Sequence, residues 1–426
     1  MSKVAVIGTG YVGLTLGAVL AHVGHEVCCA DLDPDKVAML ASGRIPIVEA
    51  GLPHLVREGL ATGRFRVVLG AGNAVAGREF VFLCLPTPEG ADGSADLSFL
   101  VRAAAEIGPL LDPGSVVVNK STVPVGSTRV VEDVLGRDDV AVVSNPEFLR
   151  ESSAVHDSLH PERVIIGADD REAAQRVADL FAAVGGPVMI TDPASAETIK
   201  YACNAFLATK VSFVNAVANL CEAVGADVAD VVRGMGYDRR IGHEFLQPGP
   251  GWGGSCLPKD TAALVRIGED AGYDFHLLRG VITVNRVQLA TVVAKIARLA
   301  GGALQRRTVA VWGLTFKAGT DDRRCSPAME VVSRILAKGG RVRAYDPTVD
   351  DPVPEAPDVE VCRDPYAACE GAAVLAVLTE WEELRCLDFD KVAAVMANPA
   401  VVDARNLLPP EALRRAGFTY QGIGRR

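Results

Sequence analysis

The apolar positions of this chain fall into short continuous runs closed by glycine, proline or a polar residue. They alternate with longer stretches whose apolar residues recur every three to four positions. Continuous runs read as strands buried on both faces and the longer rhythm as amphipathic helix, so the alternation predicts repeated βα units around parallel sheets. Strand-like runs occur at 3–7, 26–30, 80–85, 116–118 and 140–143, and a second series at 309–313, 341–345, 374–378 and 401–403 follows Gly301 and Gly302. Between the two series, 193–224 keeps a helical pattern with almost no breaker. It is too long for a crossover and reads as a helix that joins two domains and carries a dimer interface. The expected fold is α/β, two doubly wound Rossmann-like domains joined by a long central helix, with a first domain at 1–192, a helical region at 193–300 and a second domain at 301–426.

Bulk properties narrow the partners. The 426 residues exceed a usual single core. A formal net charge of -10 gives no chain-wide attraction for nucleic acid or anionic lipid. The 10 cysteines are scattered without Cys-x-x-Cys spacing, which suits reduced thiols and not a disulfide frame or metal site. The first apolar run is short and leads straight into glycines, and no run approaches about 18 uninterrupted apolar residues. A cytoplasmic protein without a membrane partner is expected.

Several segments carry chemistry. Gly8-Thr9-Gly10-Tyr11-Val12-Gly13 follows the first strand and opens a helix, the context in which G-x-G-x-x-G binds a dinucleotide pyrophosphate. Asp31 ends the second strand at the separation expected for a carboxylate on the adenosine ribose, which favours NAD over NADP. Lys36 either reaches the same ribose or is a solvated helix lysine. Thr87 and Thr122 lie in loops at strand ends, on the cofactor side, where their hydroxyls could instead cap helices. Glu147 and Glu151 are four apart and would share a face if their stretch were helical, either to orient a water or hydroxyl or as a solvated surface. Lys200 and Asn204 are also four apart on the central helix, a cation and an amide able to serve one oxyanion.

Gly251-Trp252-Gly253-Gly254-Ser255-Cys256-Leu257-Pro258-Lys259-Asp260 puts a cysteine between glycines and a Lys-Asp pair. A thiol reacts as its thiolate, which a nearby cation favours, and glycines leave room at the sulfur. A buried cysteine in a glycine turn is the plainer alternative. In the second series the loop Leu314-Thr315-Phe316-Lys317 lacks dinucleotide glycine spacing, so a second NAD is not expected there, although Lys317 suits a phosphate.

Taken together, Gly8 to Gly13, Pro46-Ile47-Val48-Glu49-Ala50-Gly51-Leu52, Ser121-Thr122-Val123-Pro124-Val125-Gly126, the 145–151 segment, Lys200 with Asn204, Gly253 to Asp260, Phe316-Lys317 and Arg405-Asn406 resemble the UDP-glucose/GDP-mannose dehydrogenase family over essentially the whole chain. The resemblance implies a homodimer or higher homo-oligomer that oxidises the C6 alcohol of a nucleotide sugar to a carboxylate with two NAD, through a thiohemiacetal and thioester on Cys256. The UDP-glucose branch is nearest, giving UDP-glucuronate. A TDP- or GDP-sugar is the alternative, and a two-electron β-hydroxyacid-type dehydrogenase is a further one.

By that resemblance Lys200 and Asn204 stabilise the alkoxide and oxyanion, and Asp260 assists proton transfer and holds a water with Thr122. Glu147 and Glu151 lie at the sugar and nicotinamide, Glu151 as a base for hydrolysis. Cofactor contacts fall on Gly8, Gly10, Tyr11, Val12, Gly13, Asp31, Lys36, Thr87, Thr122, Glu151, Lys259 and Arg324. Substrate contacts fall on Glu147, Phe148, Leu149, Arg150, Glu151, Lys200, Asn204, Phe245, Leu246, Gln247, Pro248, Gly249, Gly253, Lys317 and Arg405, with Arg240 reaching a neighbouring subunit's site. The glycines before Cys256 would make room for the nucleotide sugar. Three departures from the family pattern, Trp252, Cys325 and Ala404, touch the loops that hold Arg324 and Arg405.

Overall fold

The computed structural model describes residues 1–425 except 89, 91–93 and 351. The chain forms two compact units, Met1–Cys203 with Ala262–Ala271, and Asn204–Thr261 with Gly272–Arg426. Each is built around one sheet.

In the first unit β1 (Lys3–Ile7), β2 (Glu26–Asp31), β3 (Phe65–Leu69), β4 (Phe80–Leu83), β5 (Val116–Asn119), β6 (Ala141–Ser144), β7 (Val164–Gly167) and β8 (Val188–Thr191) stand in the order β3-β2-β1-β4-β5-β6-β7-β8. Pairing is parallel from β3 through β6. A single antiparallel bridge, Ser144 to Gly167, then joins β6 to a parallel β7–β8 pair. Alternate side chains of β1 serve two cores. Val4 and Val6 pack with Leu14 and Leu16 of the first helix (Tyr11–His22), whereas Ala5 and Ile7 pack with Leu83 and Leu100 on the other face. With both faces buried, β1 offers polar groups only at its ends, and its carboxyl end is where the sheet order reverses.

The glycines of the first turn answer to different needs. Gly8 has φ +96, and a Cβ there would lie 2.3 Å from the Cys84 carbonyl oxygen. At Gly13 a Cβ would lie 1.9 Å from the Gly8 carbonyl oxygen, so the helix can seat on the strand only without one. Around Gly10 nothing lies within 4 Å of the same position. Space there is left for a ligand.

The second unit arranges β9 (Thr308–Trp312), β10 (Arg341–Tyr345), β11 (Val359–Val361), β12 (Val374–Val377), β13 (Ala400–Asp403) and β14 (Thr419–Gly422) in the order β11-β10-β9-β12-β13-β14. Every pair is parallel. This is the six-stranded order of a dinucleotide-binding fold. The central helix runs Pro193–Val224 over 32 residues, as its unbroken pattern predicts.

The helix His276–Leu299 is, among the described residues, the one long and apolar enough to cross a bilayer. Within its own unit it supplies Leu289, Val292, Val293 and Ile296 to the core. It also buries Asn285, Gln288 and Lys295, each with a hydrogen-bond partner.

Apolar runs did not reveal β3, β7, β8, β11 and β14, and all but β7 are sheet edges. The edge strands are largely half-buried or exposed and β3, β11 and β14 carry polar residues, whereas the apolar runs of β7 and β8 are only three residues long. An inserted methyl that meets backbone costs about 1–3 kcal/mol. Gly13→Ala should therefore lower the thermal unfolding midpoint of the cofactor-free protein by several degrees, while Gly10→Ala leaves it unchanged, as differential scanning calorimetry would measure.

Candidate functional site

In the first unit, the carboxyl ends of β1, β2, β4, β5 and β6 gather most of the residues expected around the cofactor. The first helix starts at Tyr11 behind Gly10, which offers no side-chain cap, so amides at the helix start remain for an anion such as pyrophosphate. Asp31 accepts the Thr9 hydroxyl, the Thr9 amide at 3.1 Å and the Lys36 ammonium at 2.9 Å. Burial works to raise its carboxyl, but these donors prevail and bring it to about 2. Asp31 is thus held ionised next to the glycine turn, and Lys36 is paired to it. Thr87 donates its hydroxyl to the Thr122 carbonyl at 2.8 Å, so it ties the β4 and β5 loops together instead of capping a helix. Tyr11 and Val12 are half-buried at the helix start.

The 145–151 segment is not helical. It leaves β6 as extended chain and turns at Glu151, so Glu147 and Glu151 do not share a helix face. The expectation failed because Pro146 and the buried Asn145 hold the chain extended; Asn145 donates to the Ile165 carbonyl at 2.7 Å and accepts from Lys120 at 3.0 Å. Glu147 and Lys200 have side chains only 7% and 4% exposed and meet at 2.8 Å. Burial pushes the Glu147 carboxyl up, but the Lys200 charge outweighs it and keeps it below the usual range. The Leu149 amide holds the second Glu147 oxygen at 2.7 Å. Above this pair the Phe148 ring lies 5.5 Å from the Lys200 ammonium and 4.2 Å from the Arg163 guanidinium. Arg150 turns away to chelate Asp157.

Lys120 is a cation that sequence reasoning passed over. It is buried against Asn145 and the Phe181 ring, and burial brings its ammonium down to about 8, partly opposed by Cys84 and Glu147. The signal was available, since a lysine ending an apolar strand is rarely solvated.

The second unit gathers the rest. Cys256 is exposed and immediately precedes the helix Leu257–Asp270, whose first amides favour negative charge. Asp260 is fully buried and takes the Asn204 amide at 2.6 Å and the Lys259 ammonium at 2.7 Å. Lys259 is therefore matched by Asp260.

A side chain at Gly251, Gly253 or Gly254 would collide with the protein itself, so packing alone requires these glycines. A Cβ at Gly253 would sit 2.1 Å from the Cys325 carbonyl oxygen, one at Gly254 would sit 2.9 Å from the Phe316 ring, and one at Gly251 would sit 2.7 Å from Asn285 Oδ1. Trp252 is buried and donates to Ser212.

Phe245 takes a left-handed φ of 60 and Leu246 is buried behind it, while Gln247 is exposed and Pro248 half-buried. Gly249 is clamped by Asn215 at 2.8 Å and Gln288 at 2.7 Å. Arg405 donates to the Leu378 and Phe316 carbonyls and pairs with Glu380, so Ala404 before it does not leave it loose. Its guanidinium stands 3.5 Å from the Cβ position of Gly249, so Gly249, Phe316, Lys317 and Arg405 form one cluster. Arg324 chelates Asp322 and Arg240 chelates Asp238, both exposed.

Asp346 ends β10 as Asp31 ends β2, yet here it is spent internally. It accepts the Leu314 and Thr315 amides and the Trp381 indole and is 2% exposed. Asp346 is thus buried, whereas Asp31 at the equivalent strand end is half-buried.

One sheet with an open glycine turn beside an ionised acid, and a second Rossmann-like sheet whose corresponding acid is buried, are the arrangement of a nicotinamide-dependent oxidoreductase with a separate nucleotide-binding unit. Family models agree along the chain. The NAD binding domain of the UDP-glucose/GDP-mannose dehydrogenase family matches 2–185, its central domain 194–287 and its UDP binding domain 310–410. The chain belongs to the UDP-glucose/GDP-mannose dehydrogenase family, and NAD is its cofactor.

The chain is 43% identical to the UDP-glucose 6-dehydrogenase TuaD of Bacillus subtilis, with 100% of this chain and 94% of that protein covered. It is 44% identical to a UDP-glucose 6-dehydrogenase of Pseudomonas aeruginosa, covering 99% and 97%. A UDP-glucose dehydrogenase structure from Pyrobaculum islandicum superposes with a TM-score of 0.91 at 35% identity, over 100% of this chain and 98% of that one.

The buried lysine yields a test. The Lys120 ammonium titrates at about 8 in the fold against 10.5 for an ordinary lysine. Between these values the unfolded chain binds more protons, so stability rises with pH. The unfolding midpoint of Lys120→Met relative to the parent should shift in the parent's favour as pH is raised from roughly 7 to 10, read by thermal melts across that range.

Proposed function

We propose that this enzyme is an NAD-dependent UDP-glucose 6-dehydrogenase that carries out both oxidations of C6 and releases UDP-glucuronate. The observation that carries the reading is Cys256, exposed at a helix start, with Asp260 buried behind it and bonded to Asn204. A two-electron dehydrogenase needs no nucleophile, whereas a four-electron oxidation needs a way to keep the aldehyde.

In the first step the C6 alcohol loses a proton and passes hydride to NAD, giving the aldehyde. Cys256 Sγ adds to the carbonyl carbon, and the thiohemiacetal passes a second hydride to a second NAD, leaving a thioester. Water attacks the thioester, the carbon–sulfur bond breaks, and the acid leaves. The sum is alcohol, water and two NAD giving carboxylate, two NADH and three protons. Lys200 and Asn204 stabilise the alkoxide and oxyanion, with Glu147 holding Lys200 in place. Asp260 and Thr122 hold the water, and Glu151 serves as base for hydrolysis.

The remaining assignments follow the same family pattern. Gly8 to Gly13, Asp31, Lys36, Thr87, Lys259 and Arg324 serve NAD. Residues 147–151 and 245–249, with Gly253 and Lys317, serve the sugar nucleotide, and Arg405 serves its phosphates. We take 1–192 as the cofactor domain, 193–300 as the central region and 301–426 as the nucleotide-sugar domain, in a cytoplasmic enzyme.

The same reading includes a homodimer through the central helix. Phe206, Phe213 and Leu220, seven residues apart, are 64%, 55% and 59% exposed, and Val224 continues the stripe at 68%. A continuous apolar seam of this period is suited to a helix of a second copy, with Arg240 reaching that copy's site.

End-point assays over UDP-glucose, TDP-glucose and GDP-mannose should give two NADH per UDP-glucose. Preference for GDP-mannose would overturn the substrate, and one NADH per sugar would overturn the reaction class. Cys256→Ser should abolish acid formation while NADH still binds; undiminished acid with two NADH per sugar would sink the covalent route. Phe213→Glu with Leu220→Glu should lower the mass measured by light scattering, and an unchanged mass would place the interface elsewhere.

A further inference from the structure

Glu49 belongs to the loop ahead of the helix Leu52–Ala61 and has no role in the chemistry above, yet it is only 4% exposed. A buried carboxylate needs donors. Its Oε2 accepts the Tyr11 hydroxyl, and its Oε1 faces the Val155 amide at 3.4 Å. The Tyr11 oxygen in turn accepts the Ser152 amide at 2.7 Å. A phenol has a single proton, so once it is given to Glu49 the oxygen can meet Ser152 only as an acceptor. Burial, the Glu49 bond and the Glu49 and Glu151 charges push the Tyr11 phenol above its usual range against the Ser152 amide, which keeps that proton in place.

The chain at Ser152 needs such a hold. Its φ is 69, a left-handed backbone that a residue with a Cβ adopts at a cost. Arg150, two residues before Ser152, clasps Asp157 after it through both its side chain and its amide, so the turn 150–157 is pinned at both ends. Between the two pins lies Glu151. The relay from Glu49 through Tyr11 to Ser152 therefore joins the start of the first helix, where the pyrophosphate lies, to the backbone that aims Glu151. All of these residues fall within the first unit.

We propose that Glu49 is a positioning residue: it fixes the Tyr11 hydroxyl as acceptor for the Ser152 amide and so ties the orientation of Glu151 to the glycine-rich cofactor turn. The inference rests on the assignment of Glu151 to thioester hydrolysis, and it extends that assignment by naming what aims the base.

The test compares Glu49→Leu, Glu49→Gln and Tyr11→Phe with Glu151→Gln in the full-length enzyme. Glu49→Leu keeps the volume without an acceptor; Glu49→Gln keeps a carbonyl acceptor for the Tyr11 proton. Displacing a reacting group by about 1 Å can cost ~100-fold, so Glu49→Leu and Tyr11→Phe should each lower kcat by roughly 10–100-fold. For Glu49→Leu, KM for UDP-glucose and NADH affinity by fluorescence titration should stay within about threefold, a split that general loosening of the fold would not give.

Because hydrolysis is the step affected, intact-mass spectrometry should show a sugar-nucleotide adduct accumulating on Cys256. Glu49→Gln should recover most of kcat, and the Tyr11→Phe/Glu49→Leu double variant should be no slower than either single one. Additive losses, or a fall in kcat without adduct, would overturn the positioning role. Should Glu49→Leu not fold, Tyr11→Phe and Glu49→Gln decide the matter by kcat and adduct. The parallel Glu151→Gln separates the two claims: turnover at the parent rate without adduct defeats the assignment of Glu151, whereas adduct in Glu151→Gln but not in Tyr11→Phe defeats the positioning alone.

Discussion

Glu147 and Lys200 are both almost out of water, and neither charge is tenable there without the other. Removing one partner of such a pair typically costs about 3–5 kcal/mol, because the remaining charge is stranded in a poorly solvating interior. The pair therefore does more than join two elements. It requires the extended strand after β6 and the first turns of the central helix to meet at one place, and it brings Phe148, with Arg163 on its ring, to the same place. The polar end of the first unit is organised around that requirement.

The same physical rule explains why the chemistry lies at strand ends. Strands covered on both faces admit almost no polar side chains along their length, so charged and hydroxyl groups are displaced to the loops that follow. Asp31, Thr87, Lys120 and Glu147 each follow or end a strand of one sheet, and each is satisfied by a named neighbour. The second sheet obeys the rule with a different outcome. Asp346 is held by backbone amides and Trp381, and beyond it Arg405 donates to the Phe316 carbonyl. Both carboxylates accept backbone amides, but Asp346 is buried where Asp31 stays half-buried.

Glycine shows the limit of motif reading. In the first turn Gly10 is open, as a pyrophosphate needs, but Gly13 is closed by the Gly8 carbonyl. Before Cys256 the glycines are required by Cys325, Phe316 and Asn285, and the space they leave is already filled by the protein. A missing side chain looks alike in sequence whether it makes room for a ligand or for a neighbouring loop. Only the coordinates tell the two apart.

By itself the sequence determined the α/β class, the interior strands apart from β7, the 32-residue central helix, the glycine turn with Asp31, and the prominence of Cys256, because each is written in local spacing or in a continuous apolar run. It also pointed to the pairing of Lys200 with Asn204 on one helix, though not to what each bonds. The edge strands, the extended course of 145–151, the Glu147–Lys200 pair, the burial of Asp346 and the Glu49–Tyr11–Ser152 relay were decided by tertiary structure. Edge strands carry mixed polarity, so no pattern announces them. The pairs and relays join residues up to 141 positions apart, and the partner that satisfies a buried charge is fixed by which loops the sheet order brings side by side.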